Sequence, residues 1–246
     1  MITLINNHRS IRRYSDKPVD DATLNTILEA GAMASNTGNM QLYSVIVTRN
    51  AETKKALAPA HFNQPMIENA PVVLTLCADV NRFTLWCQQR NADAGFYNLE
   101  SLITAFVDTS LVAQNISLAA ESLGLGICYL GTTTYNPDMI ADVLNLPKGV
   151  VPVTTITLGY PAEAPDKTPR LPLSAFVHNE TYHDYSASDI NAAYSDMEHD
   201  PKNDKFIKEN NKENLAQVFA EVRYSKANNE HFSQCLMDFF KKQGMM

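Results

Sequence analysis

Two polar segments in the first quarter of the chain could bind an anionic or heterocyclic ligand. Residues 8–13 read HRSIRR and combine three arginines with a serine. An arginine guanidinium can give two parallel charge-assisted hydrogen bonds to one oxyanion, so this segment predicts either a phosphate site or an ordinary basic turn. Residues 35–41, SNTGNMQ, offer amides and hydroxyls around a glycine and suit either the polar edge of a heterocycle or a simple loop.

Two later segments have the same double interpretation. Residues 129–132, YLGT, follow a glycine-rich turn, and Gly131 would let a ligand approach the backbone closely. Residues 167–172, KTPRLP, form a loop stiffened by prolines, in which Lys167 and Arg170 could reach a phosphate. A solvated loop remains the alternative for both segments.

Several other kinds of site are excluded because their motifs are missing. The chain has neither a GxGxxG fingerprint nor a GxxxxGK[ST] loop, which argues against a dinucleotide-binding or P-loop fold. His178 and His183 do not form an HExxH motif, and no zinc site is predicted. The four cysteines are widely scattered without a CxxC pair, so free thiols in a reducing compartment are the simplest interpretation.

Composition and charge restrict the class of partner. The 246 residues carry a formal net charge of −7 and include 45% hydrophobic residues, as a folded globular protein would. Nucleic acids and anionic membranes require a basic surface, so neither is expected as a partner. The N-terminal residues do not resemble a signal peptide, and no stretch was expected to cross a bilayer. The sequence therefore predicts a cytoplasmic protein.

Periodicity predicts alternating helices and strands in the first part of the chain. Asp20 is a candidate N-cap for a helix that runs to about Ala34. A second helix, over about 100–123, is apolar on more than one face and should be buried in the domain or against a partner subunit, with Gly124 as its stop. Short β-branched runs predict strands at 42–47, 72–77 and 151–158.

The character of the chain changes after about residue 185. Residues 186–214 are polar and weakly periodic, which predicts an exposed connector with some helical turns. Helical spacing returns at 215–224 and again at 232–242. We therefore expect a core of residues 1–185 and a C-terminal helical extension, 186–246, that packs on the core or on a partner subunit, with a mobile tail as the alternative.

Taken together and in order, five blocks resemble the nitroreductase family, in particular the branch of the oxygen-insensitive major nitroreductase and flavin reductase P. The blocks cover about residues 5–185, and the longest is VDTSLVAQNISLAAESLGLGICYLG at 107–131. The others lie at 8–19, at 61–71 together with 77–82, at 144–165 and at 169–182.

This resemblance implies a fold and an assembly. The fold class would be α+β, with a central, mostly antiparallel sheet flanked by helices and two subunits interlocked as a homodimer. Two FMN molecules would lie in the subunit interface, each contacted by both chains. The apolar helix at about 100–123 would then lie at the centre of the dimer.

The resemblance also implies cofactor-binding residues, with no catalytic side chain and no metal, because FMN carries the chemistry. Position by position, the implied FMN ligands are His8, Arg9, Ser10, Arg12, Ser35, Asn36, Thr37, Gln64, Gly131, Thr132, Lys167 and Arg170. Three of them depart from the family pattern. Asn36 replaces a serine, Thr132 replaces the second glycine of a GG pair, and Lys167 is displaced by one residue because Thr168 occupies the usual lysine position.

The implied function is an NAD(P)H-dependent nitroreductase or flavin reductase. It would take two electrons from NADH or NADPH and pass them, by a ping-pong mechanism, to a small planar acceptor such as a nitroaromatic, a quinone or a flavin. Residues 223–229 contain few cations, so no strong preference for NADPH is expected. The alternatives are a related flavin enzyme with another acceptor, dehalogenase or azoreductase-like, and a non-catalytic flavin-binding protein.

Overall fold

The sheet is built from four antiparallel strands. A computed structural model describes residues 1–246. The strands are β1 (Tyr43–Thr48), β2 (Val72–Asp79), β3 (Gly126–Leu130) and β4 (Val150–Gly159), and their order across the sheet is β1-β2-β4-β3. Strands 1, 2 and 4 confirm the three predicted strands. The glycine-rich turn predicted before residues 129–132 is partly wrong, because Gly126 already pairs with Gly159, and Ile127 with Leu158, in a regular antiparallel register.

Helices account for most of the remaining chain. Those before β4 are α1 (Ile2–Asn6), α2 (Asp21–Ala32), α3 (Ala51–Leu57), α4 (Pro65–Asn69), α5 (Asn81–Gln89), α6 (Leu99–Ser122) and α7 (Pro137–Leu144). Those after β4 are α8 (Ala187–Glu198), α9 (Pro201–Glu209), α10 (Leu215–Gln217) with a π-helical turn at Val218–Arg223, and α11 (Lys226–Lys242). Short 3₁₀ turns lie at Thr37–Asn39, Ala58–His61, Gly131–Thr134 and Leu173–Ala175.

The two helices predicted before β4 both form and pack together beside the sheet. Asp20 caps α2, because its carboxylate accepts a hydrogen bond from the Thr23 N–H at 2.7 Å. Gly31 allows α2 and α6 to approach closely, since a Cβ there would lie 2.5 Å from Ile116 Cγ1. The buried apolar residues of α2 and of the C-terminal half of α6 share one core cluster with the inner side chains of the sheet. This fold is the predicted α+β arrangement.

Helix α6 is apolar on two faces. One face, which includes Ile116, is buried against the sheet, whereas Ile103 and Val107 on another are 57% and 53% exposed. The helix is long and apolar enough to cross a membrane by length and composition alone, contrary to the expectation that no segment would be. Because α6 also carries the buried polar residues Asp108 and Thr109, and packs on the sheet, its apolar character fits a core helix.

The chain divides into two compact units with limits different from those predicted. The first unit contains Met1–Asp166 and Phe232–Met246, and the second contains Lys167–His231. The division into a core of 1–185 and an extension of 186–246 stays a prediction. Within the second unit, residues 186–214 are more helical than expected, because Ser186 and Asp189 form a capping box that starts α8.

Candidate functional site

The arginine segment, residues 8–13, lies along the free edge of β3. Ser10 forms a parallel bridge with Ile127, and the Ile11 N–H donates to the Ile127 carbonyl at 2.8 Å. A Cβ at Gly126 would lie 2.4 Å from Ile11 Cγ1, so the segment can lie this close only because residue 126 is a glycine. The chain thereby fixes the backbone of the predicted phosphate ligands against the sheet.

Carboxylates hold two side chains of this segment and leave a third free. His8 Nδ1 lies 2.6 Å from a carboxylate oxygen of Glu121, at the end of α6. Glu163 accepts hydrogen bonds from the backbone N–H groups of Arg12 and Arg13, at 2.7 and 3.0 Å, and from Arg13 Nε at 2.8 Å. These bonds, first the one from the Arg12 backbone, hold the pKa of Glu163 below its ordinary value. The guanidinium of Arg12 is exposed.

Arg9 carries a buried donor without an acceptor. Its Nε atom is shielded from solvent and makes no hydrogen bond in the chain. An unpaired buried donor destabilises a protein by about 1–3 kcal/mol, so a group of this kind is expected to meet a ligand, an ion or a water molecule. A shallow cavity beside Arg9 is lined by Ile11, Glu121, Gly126 and Glu163, among others.

A second group of predicted ligands meets at the other end of β3. The Gly131 turn, Gly131–Thr134, follows the strand directly, and a Cβ at Gly131 would have no atom within 4 Å. Thr132 Oγ1 lies 2.9 Å from Nδ1 of His61, which is fully buried. The Gln64 N–H donates to the His61 carbonyl at 3.2 Å. Gln64, Gly131 and Thr132 are therefore brought together around His61.

The third group, Ser35, Asn36 and Thr37, lies beside the middle of α6. The Thr37 N–H donates to Asp108 at 2.9 Å, and the Asn36 amide nitrogen donates weakly to the Ala34 carbonyl at 3.4 Å. The side-chain oxygen of Asn36 is buried and accepts no hydrogen bond. Ser35 is exposed.

Within one chain, this third group is far from the arginine segment. Thr37 contacts α6 at Asp108 and His8 contacts it at Glu121, 13 residues further along the same helix. At 1.5 Å per residue these two contacts are roughly 20 Å apart along the helix axis.

The two remaining predicted ligands, Lys167 and Arg170, belong to the second unit. Both are exposed, and Arg170 Nη1 donates to the carbonyl of Thr168 at 2.8 Å. Their role as cofactor ligands stays a prediction. In the same unit the guanidinium of Arg223 lies over the ring of Phe206, 4.4 Å from the ring centroid. One of the few cations of residues 223–229 is therefore engaged in a cation–π contact.

The residues that hold the predicted ligands in place were not predicted from the sequence. These are His61, Glu121, Glu163 and Asp108. Their contacts with the predicted ligands span 71 to 151 positions of the chain, so spacing could not have revealed them. His61 stands in the same block as Gln64, and a histidine three residues before a predicted ligand was the one available signal.

The residues present fit FMN. Arg9 Nε is a buried donor without an acceptor and Asn36 Oδ1 a buried acceptor without a donor, and both lie in segments predicted to bind the flavin. The free space at Gly131 leaves room for a ligand to approach the backbone closely. The unpaired Arg12 guanidinium is a cation suited to a phosphate.

Known proteins share both this sequence pattern and this fold. The model of the family described as "Nitroreductase family" matches residues 5–160. An FMN reductase [NAD(P)H] of Bacillus subtilis is 38% identical over 184 residues, and an oxygen-insensitive NADPH nitroreductase of Salmonella typhimurium is 38% identical over 181 residues; each alignment covers 74% of both chains. A crystal structure from Bacteroides fragilis matches with a TM-score of 0.98 and 54% identity over 99% of both chains.

The fold and these similarities define an oxidoreductase with an antiparallel sheet flanked by helices. The chain belongs to the nitroreductase family, and the family and the fold inferred from its sequence are confirmed.

Proposed function

We propose that this chain is an FMN-dependent NAD(P)H oxidoreductase that transfers two electrons, by a ping-pong mechanism, to nitroaromatics, quinones or flavins. The names of its relatives support both the NAD(P)H donor and the nitro and flavin acceptors. The observation that carries the cofactor assignment is the pair of buried, unpaired atoms in the predicted flavin segments, Arg9 Nε and Asn36 Oδ1. FMN, when bound, supplies the ability to accept two electrons from one partner and give them to another.

The arginine segment is proposed to hold the phosphate. Arg9, Ser10 and Arg12 offer two guanidinium groups and a hydroxyl next to one strand edge, and Arg12 is free to make a bidentate contact. Glu163 prevents Arg13 from competing for the same anion, because the Arg13 guanidinium is already paired with it. His8, held by Glu121, completes the segment.

The other end of β3 is proposed to hold the ring system. Gln64 and Thr132 supply polar side chains, and Gly131 leaves the space beside the backbone open. No side chain there acts as a nucleophile or as a general base. The protein instead binds and orients its cofactor, and the two substrates use the same open side in turn, which is the basis of the ping-pong proposal.

A homodimer is proposed because one chain leaves both its apolar face and its cofactor site incomplete. Side chains of α6 and α11 form an open apolar groove, lined by Leu99, Leu102, Ile103, Phe106, Val107, Ser110, Leu111, Leu236 and Phe240. Exposed apolar surface of this kind marks interaction sites. A second copy would cover the groove and bring its Ser35–Thr37 segment to the arginine segment of the first, which lies roughly 20 Å away within one chain by the helical rise.

The dimer is tested by placing a charge in the groove. Ile103→Glu should produce a monomer in sedimentation velocity and should bind FMN poorly, because each site would lose the residues of the partner. Leu85→Glu is the matched control, since Leu85 is a similarly exposed apolar residue on α5, outside the groove. An Ile103→Glu monomer that binds FMN as tightly as wild type would exclude a shared site.

The cytoplasm is proposed as the location. The buried polar residues of α6 and its packing on the sheet fit a folded core better than a bilayer. Fractionation of the cells that produce the protein should recover it in the supernatant after high-speed centrifugation. Recovery in the membrane pellet that resists high salt would contradict this proposal.

Anaerobic titration with NADH and with NADPH tests the function most directly. The purified protein should be yellow, and its flavin absorbance should bleach on addition of at least one nucleotide. Subsequent addition of a nitroaromatic or a quinone should restore the colour. A protein that binds FMN and fails to bleach with either nucleotide would instead be a non-catalytic flavin-binding protein.

A further inference from the structure

His61 connects the two predicted ring ligands, and no motif singled it out. It ends a 3₁₀ turn, Ala58–His61, that faces the Gly131 turn. Its ring contacts Thr132 Oγ1 at 2.9 Å, and its carbonyl accepts the Gln64 N–H at 3.2 Å. Asn136 Nδ2, at the start of α7, donates to the Ala60 carbonyl at 3.0 Å and ties the first of these turns to the segment that follows the second.

The surroundings of His61 determine its charge and its tautomer. The side chain is fully buried, and desolvation lowers its pKa to about 4, so the ring is neutral at pH 7 and carries one proton. Nε2 is buried and has no hydrogen-bond partner. Because buried N–H groups without an acceptor are rare in native proteins, the proton belongs on Nδ1, where Thr132 Oγ1 can accept it.

This tautomer fixes the direction of the Thr132 hydroxyl. When Oγ1 accepts the Nδ1–H of His61, the proton of the hydroxyl is not used in that bond and can be donated elsewhere. Thr132 is half-buried and directly follows Gly131, which borders open space. The family pattern in the sequence analysis has a glycine at position 132, which would offer no hydroxyl.

We propose that His61 is a positioning residue that turns the Thr132 hydroxyl into a hydrogen-bond donor to the bound flavin. This proposal rests on the proposed function, because it requires FMN beside the Gly131 turn. A donor at this position stabilises the reduced flavin more than the oxidised flavin, since the reduced form carries more negative charge. The His61–Thr132 pair therefore raises the midpoint potential of the cofactor in this chain.

The test measures two properties of the cofactor in variants of both residues. The midpoint potential of bound FMN is determined by equilibration with a reference dye, and the dissociation constant by quenching of FMN fluorescence. Thr132→Val removes the hydroxyl at nearly constant volume, whereas Thr132→Ser retains it. His61→Leu removes the donor, whereas His61→Asn keeps an N–H one bond from Cγ, as Nδ1 is.

Two of the four variants are expected to lose both FMN affinity and midpoint potential. Thr132→Val and His61→Leu should each weaken FMN binding about two- to tenfold, as expected for one hydrogen bond, and lower the midpoint potential by up to about 30 mV, the two-electron equivalent of tenfold. The double variant should lose no more than either single variant, because both act on one bond. Thr132→Ser and His61→Asn should stay close to wild type.

Controls separate this effect from general damage to the turns. Thr134→Val alters a neighbouring threonine that makes no hydrogen bond to His61, and its midpoint potential should equal that of wild type. Should His61→Leu fail to fold, His61→Gln replaces it. The glutamine amide nitrogen lies one bond further from the backbone than Nδ1 and so does not restore the bond to Thr132, and the midpoint potential should fall as in His61→Leu.

The failures of the two proposals are distinguishable. Wild-type protein that does not bind FMN at all contradicts the proposed function. Wild-type protein that binds FMN, together with a Thr132→Val variant of unchanged potential, overturns the role of the His61–Thr132 pair and leaves the proposed function standing. A lower potential in Thr132→Val but not in the His61 variants shows that Thr132 acts alone, which overturns the role of His61.

Discussion

The two ends of β3 hold their predicted ligands by opposite means. Beside its start, the arginine segment is charged and exposed at Arg12 and Arg13, and carboxylates pair with two of its side chains. After its end, the Gly131 turn is neutral and is held to His61 by one partly buried hydrogen bond. The same strand therefore presents a cationic surface at one end and a neutral polar surface at the other.

This difference corresponds to the two parts of the proposed cofactor. A phosphate remains charged and partly hydrated when bound, and exposed guanidinium groups suit it. A planar ring is mostly apolar and is oriented by a few hydrogen bonds, which gain strength where water is excluded. Changes at the charged end should therefore alter affinity strongly, whereas changes at the neutral end should alter pH dependence and potential.

The largest effect is expected from Arg12→Ala. The loss of a bidentate contact to phosphate removes two charge-assisted hydrogen bonds, so the dissociation constant of FMN should rise about a hundredfold. Fluorescence titration of the apoprotein measures it, and the purified variant should be almost colourless.

Arg13→Ala is the matched control for this prediction. Arg13 directly follows Arg12 and carries the same charge, but its side chain is already paired with Glu163 at 2.8 Å. Its loss should change FMN affinity much less than the loss of Arg12. An Arg12→Ala protein as yellow as wild type would show that the phosphate is bound elsewhere.

The sequence alone predicted residues of both ends but not the contacts that hold them. HRSIRR and the YLGT segment were identified because arginine and glycine have distinctive binding chemistry. The pairing of Ser10 with Ile127 and of His61 with Thr132 joins residues 117 and 71 positions apart, and such long-range pairs have no local signature. They arise from the tertiary packing.

Tertiary contacts and side-chain caps also account for the differences between the predicted and the observed secondary structure. Strand β3 contains Gly126 and is only five residues long, so β-propensity gave a weak signal that its pairing with β4 outweighs. Helices α8 and α9 lie in a polar stretch with little apolar periodicity. Their starts depend on side-chain caps at Ser186 and Asp200, which were not used as signals.

A change of pH should reveal the buried state of His61. Its pKa is about 4 in the folded protein and about 6.5 when exposed, so the unfolded chain binds more protons between these values. The free energy of unfolding should therefore be greatest above pH 6.5 and decrease as the pH falls towards 4. By proton linkage the loss from this residue is about 2 kcal/mol at pH 5.

Urea unfolding at pH 7 and pH 5 measures this loss when wild type is compared with His61→Asn. The variant lacks the titrating group and keeps the other five histidines, so its stability should depend less on pH. Equal losses in the two proteins would mean that His61 is not held neutral in the folded state.

The smallest effect is expected at the charged end, from Glu163→Gln. The pKa of Glu163 is lowered, so its stabilisation is present above its ordinary pKa and is lost only as the pH falls below that value. At pH 7 the glutamine can still accept a backbone N–H bond, and only the ion pair with Arg13 is lost. Because the Arg13 side chain is 77% exposed, the loss in the free energy of unfolding should be about 1 kcal/mol or less.

Urea unfolding at low and at high ionic strength measures this loss, and salt should reduce the difference from wild type, since it screens exposed charges. A larger loss that salt does not reduce would show that the arginine segment is held as rigidly as the Gly131 turn, and the contrast between the two ends of β3 would then disappear.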